Sequence, residues 1–84
     1  DKAIDFYNKA LAIDLKVLGD QHPKVATYYN NLGSAWTSKG DYDKAIAFYN
    51  KALAIALKVL GEQHPYTKIV ADNLFSIRQQ QIDN

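Results

Sequence analysis

Residues Asp1 to Pro23 return almost unchanged as Asp43 to Pro65, at a fixed offset of 42 in a chain of 84 residues. Across that stretch only Asp5, Asp14 and Asp20 change, to Ala47, Ala56 and Glu62. Self-similarity on this scale means one structural unit made twice. Such a unit buries its apolar face by stacking on a neighbour, so a repeat array is expected rather than a single globular enzyme core.

Glycine, proline and aspartate punctuate both copies at matching places. Ile4, Tyr7, Leu11, Leu15 and Leu18 recur every three or four residues, which predicts a helix from about Lys2 to Leu18. Gly19 fits the left-handed conformation that follows a helix end, and Lys16 sits favourably in the last turn. Pro23, with its fixed φ and missing N–H, suits the first position of a second helix, which runs to about Lys39 and stops at Gly40. Asp41 is a good N-cap for a third, from Tyr42 to about Leu60, ended by Gly61. Pro65 opens a fourth that reaches about Gln81, with Ile82, Asp83 and Asn84 expected to fray. No window alternates as a strand does. The short loops make neighbouring helices antiparallel. The expectation is one all-α domain over residues 1–84.

Composition narrows the function. With 48% hydrophobic residues and a net charge of +1, neither disorder nor binding to a polyanion is indicated. The chain has no cysteine, which removes disulfides and thiolate metal sites and leaves the redox compartment open. No apolar run approaches the roughly 20 residues of a membrane span, and nothing at Asp1 reads as a signal peptide. A cytoplasmic location with no membrane partner is expected. The lack of a starting Met reads as a segment of something longer.

Within the second and third helices, Tyr29-x2-Leu32-Gly33-x2-Trp36 is followed by Ala45-x3-Tyr49 and Ala52. This pattern resembles the tetratricopeptide repeat, and the likeness covers essentially the whole chain. Small residues at Gly33 and Ala45 predict the closest helix approach there, with Leu32, Tyr29, Trp36, Tyr49 and Ala52 packed around it. The period exceeds the family's usual ~34 residues by about eight, which lengthens the second helix of each unit by about two turns. The Leu-Gly-x2-His-Pro endings at Leu18 to Pro23 and Leu60 to Pro65 resemble the long repeats of the kinesin light chain type. In the family's terms the helix order is B–A–B–A: repeats at 1–42 and 43–84, with one complete A–B pair at 23–60. The last A helix departs from the pattern, with Phe75 at Gly33's place and Arg78 at Trp36's.

The resemblance implies a protein-interaction scaffold whose A helices line a concave groove for extended peptides. Thr27, Asn30, Ser34, Thr37 and Ser38 form a polar stripe on the second helix. Asn31 lies beside it, and Asn73 is its repeat-mate. With Asp72 and Ser76 these are the candidate peptide-binding residues. An asparagine ladder could grip a peptide backbone through donor and acceptor alike. Equally, Asn31 and Asn73 could bond within the array. The stripe carries no Lys or Arg, so a clamp for a terminal carboxylate is not expected. The alternative function is self-assembly, in which Ala3, Tyr7 and Ala10 of the first helix meet Phe75 and Arg78 of another copy to give a homo-oligomer.

Other chemistries find little support. His22 and His64 each precede a proline with no further ligand at metal spacing, so a role in helix initiation is expected, not a metal site. Asp41 and Asp43 sit where a helix N-terminus favours negative charge. No phosphate loop, nucleophile elbow or nucleophile–base pair is present, so neither catalysis nor a cofactor is expected. Nine of the ten aromatic residues (Phe6, Tyr7, Tyr28, Tyr29, Trp36, Tyr42, Phe48, Tyr49, Phe75) fall at or near packing positions. They read as core, and no nucleic-acid partner is expected.

Overall fold

The computed structural model describes residues 1–83 and contains four helices: α1 (Lys2–Leu18), α2 (Pro23–Ser38), α3 (Tyr42–Val59) and α4 (Pro65–Asp83). Among the described residues there is no strand. Boundaries follow the expected punctuation to within two residues, the usual spread at helix ends. The one directional difference is α4, which continues through Ile82 and Asp83, where fraying was expected. Asn84 lies outside the described residues.

Each junction has a physical cause. Asp1 caps α1, its carboxylate accepting from the backbone N–H of Ala3 at 2.8 Å. Asp41 caps α3 by accepting from Lys44 N–H at 3.2 Å. The two histidines cap the helices between. His22 Nδ1 accepts from Lys24 N–H at 3.1 Å, and His64 Nδ1 accepts from Tyr66 N–H at 3.0 Å. Each imidazole therefore satisfies one of the orphan donors of a helix that begins with proline. Gly19 ends α1 at φ 84°, ψ 171°, outside the left-handed helical basin expected for it. That region is essentially open to glycine alone, so the requirement for glycine is stricter than at an ordinary left-handed cap.

Helices pack in sequence order, α1 on α2, α2 on α3 and α3 on α4. Ile4 and Leu11 from α1, Val25, Ala26 and Leu32 from α2, and Ile55 from α3 form one apolar cluster. Ala45 and Tyr49 from α3 with Leu74 and Ile77 from α4 form the next. Trp36 touches both clusters. Full burial of a side chain such as Leu32 or Val25 stabilises by about 1.5–3 kcal/mol relative to leaving it in water.

At the α2–α3 contact the atoms nearest Gly33 belong to Tyr49. Gly33 faces the ring of Tyr49, and a Cβ built on Gly33 would lie 2.7 Å from two of its ring atoms. Ala45 is buried, but the residue that needs Gly33 to be small is Tyr49. Of the nine aromatic residues expected in the core, only Tyr49 is buried; Tyr7, Tyr28, Tyr29, Trp36, Tyr42 and Phe48 are half-buried against the apolar clusters, and Phe6 and Phe75 are exposed.

Duplicated sequence does not mean duplicated environment. Ala45, Ala52 and Ile55 of α3 are buried, whereas Ala3 and Ile13, at the same places in α1, are exposed and Ala10 is half-buried. Where α3 has buried Ala56, α1 has Asp14, whose carboxylate lies 3.8 Å from Lys24 Nζ on α2.

Candidate interaction surface

The polar stripe of α2 is divided among three tasks. On the side toward α4, Asn30 Oδ1 accepts a hydrogen bond from Asn73 Nδ2 at 3.1 Å, tying the two helices together. Asn73 therefore pairs with Asn30 within the array instead of standing free as a rung beside Asn31. Two hydroxyls turn back on their own helix: Thr27 Oγ1 donates to the Pro23 carbonyl at 3.2 Å and Thr37 Oγ1 to the Gly33 carbonyl at 2.8 Å. Thr27 remains exposed, as do Ser34 and Ser38, and Asn31 is half-buried. On α4, Asp72 and Ser76 are exposed. Of the candidate residues, Thr27, Ser34, Ser38, Asp72 and Ser76 are thus exposed and not bonded to another helix.

Sequence reasoning missed Tyr66. Its ring packs against the first apolar cluster, and its hydroxyl is buried without a partner in hydrogen-bonding geometry. Desolvation raises its pKa above the ordinary tyrosine value, while the neighbouring polar side chains of Thr27 and Asn30 offset part of that rise. The available signal was the duplication itself, because Tyr66 replaces Lys24 at the start of the second A-type helix.

A second feature joins residues that were assigned to separate roles. A crevice of about 220 Å³ between α1 and α2 is lined by Ala3, Tyr7, Asn31, Ser34, Ala35 and Ser38. Part of the proposed groove and part of the proposed assembly face are therefore one surface. Tyr7 is half-buried and stands 6.5 Å, centroid to centroid, from Tyr28. Phe75 and Arg78, the other half of the assembly set, are exposed on α4. Among the described residues no group of three His, Asp or Glu side chains is arranged to hold a metal. No described helix is long and apolar enough to cross a membrane.

Two antiparallel helix pairs sharing a continuous apolar seam, with small residues at the crossings, define an α-hairpin repeat protein. A tetratricopeptide repeat model matches residues 1–58 and again 37–81, and the chain belongs to the tetratricopeptide repeat family. No curated protein sequence matches the chain. Domains of this family are generally protein–protein interaction modules and typically non-catalytic.

Proposed function

We propose that this domain holds an extended segment of a partner protein across α2 and α4. The observation that carries the reading is the Asn30–Asn73 bond, which sets two A-type helices side by side with Ser34, Ser38, Asp72 and Ser76 exposed. Hydroxyls and amides at such positions can bond a peptide backbone without selecting its side chains. The 42-residue period and the Leu-Gly-x2-His-Pro endings support placing the repeats with the long type found in kinesin light chains. With only two A-type helices the surface is short, and affinity in the micromolar range or weaker is expected. Extended peptides selected from a random library on the immobilised chain would supply a probe. Ser34→Glu combined with Ser76→Glu, both at exposed sites, should weaken that probe by about tenfold or more at an unchanged melting temperature. Undiminished affinity would put the partner elsewhere.

Head-to-tail self-assembly through Ala3, Tyr7 and Ala10 against Phe75 and Arg78 is the second reading. The observation in its favour is the apolar face of α1, where Val17 is 72% exposed. Phe75, standing where α2 has Gly33, opposes it. Sedimentation over a dilution series separates the two, since only the second reading requires association of the chain with itself.

A further inference from the structure

We propose that the Asp14–Lys24 ion pair sorts the two A-type helices, so that α1 accepts its own α2 and rejects α4 of a second copy. This role is independent of the extended-peptide reading, because it concerns how the duplicated helices find their proper neighbours.

Duplication gives the chain a pairing problem. The face of α1 against α2 carries Ile4 and Leu11, and the face of α3 against α4 carries Ile46 and Leu53, the same residue types 42 places on. Leu32 of α2 and Leu74 of α4 are duplicates as well, one in each apolar cluster. Apolar packing alone therefore fits either A-type helix to either seat. Such ambiguity invites domain swapping, a low-cost route to dimers. Within one chain the short link from Gly19 to His22 holds α2 beside α1, so the competitor for that place is α4 of another copy.

Of the three positions at which the duplicated stretches differ, only one lies at this contact. Asp5 and Ala47 are exposed, and so are Asp20 and Glu62. By contrast, the Asp14 side chain is only 15% exposed, and its counterpart Ala56 is fully buried. Position 56 touches the A-type helix directly, since the Ala56 carbonyl accepts from Thr67 Oγ1 of α4 at 3.4 Å. One Asp14 carboxylate oxygen is buried without a hydrogen bond, and the Lys24 ammonium at 3.8 Å supplies its countercharge. The second copy replaces both members, with Ala56 for Asp14 and Tyr66 for Lys24.

Seated on α1, α4 would bring the neutral hydroxyls of Tyr66 and Thr67 and no cation to the place of Lys24. An enclosed carboxylate without a cation is strongly disfavoured, whereas an enclosed ion pair adds little stability over apolar residues. The pair thus acts on the choice of neighbour more than on the strength of the fold. Lys24 is 58% exposed and stays hydrated without its partner, so removing Asp14 alone erases the distinction.

The test refolds the intact chain from urea at high concentration and reads the dimer fraction by size-exclusion chromatography. Asp14→Ala should raise that fraction at least about tenfold over the parent, while the melting temperature stays level or rises. The dimer should revert to monomer on native dilution no faster than the chain unfolds, because exchanged helices part only by opening. The reversed pair, Asp14→Lys with Lys24→Asp, should return the fraction to the parent's value, since Tyr66 leaves a buried ammonium equally unpaired. An unchanged dimer fraction for Asp14→Ala would overturn the proposal, and a lowered melting temperature beside it would make the pair simply stabilising. A reversed pair that swaps as readily as Asp14→Ala would also overturn it. So would an Asp14→Ala dimer that dissociates at once on dilution, which is a surface contact and not an exchange of helices.

Discussion

Gly33 of α2 lies against the face of Tyr49 of α3, so closely that a methyl group on Gly33 would fall 2.7 Å from the ring. Tyr49 is only 5% exposed, which leaves its ring little freedom to yield. Gly33→Ala should therefore destabilise, although alanine is the better helix former by about 1 kcal/mol. We expect a net loss of about 1–3 kcal/mol, and a larger one for Gly33→Leu, by urea denaturation. A Gly33→Ala variant more stable than the parent would show that helix propensity outweighs the contact.

The Asn30–Asn73 bond should appear as a coupling between α2 and α4. A double-mutant cycle with Asn30→Ala and Asn73→Ala is expected to give an interaction of about 0.5–1.5 kcal/mol, the usual net worth of a partly buried neutral hydrogen bond. Additive losses would mean that the two amides do not meet in solution.

Tyr66 carries a buried hydroxyl with no well-placed partner, so Tyr66→Phe should be neutral or stabilising in thermal melts. The same residue predicts an alkaline limit. Because burial raises its folded-state pKa, the unfolded chain loses this proton at lower pH than the folded one. Stability is then fully present below the ordinary tyrosine range and falls as pH rises through it. Ultraviolet titration should find a tyrosine ionising above the ordinary tyrosine range, and Tyr66→Phe should remove both that late step and part of the alkaline loss.

His22 and His64 cap α2 and α4 through Nδ1. Replacement of either by alanine should lower stability by about 0.5–1 kcal/mol, whereas aspartate should match or exceed histidine, being the better acceptor at a helix N-terminus. Equal melting temperatures for the alanine and aspartate variants would remove the capping role.

Gly19 and Gly61 end α1 and α3 at φ of +84° and +87° with open space where a Cβ would stand. Alanine at either position should cost about 1–3 kcal/mol through backbone strain alone. Since nothing is crowded, a smaller core residue nearby should not rescue the loss, unlike the case of Gly33→Ala.

Local chemistry determined much of this molecule. The 42-residue period announced a stacked helical repeat. Proline, glycine and aspartate marked the helix ends nearly to the residue, because caps and breakers act through their own backbone. Pairings between side chains distant in sequence were not legible in the same way. That the Tyr49 ring supplies the atoms nearest Gly33, and that Asn30 is the partner of Asn73 within the array, came only from the structure. Periodicity gives the face of a helix, but not which rotamer fills a gap or which of two adjacent amides lies in reach. The duplication itself marks the limit. Ala3 and Ala45 share nearly identical surroundings in the chain, yet one is exposed and the other fully buried. Local sequence cannot distinguish them, since the difference is whether another helix lies across the top, and only the tertiary structure decides that.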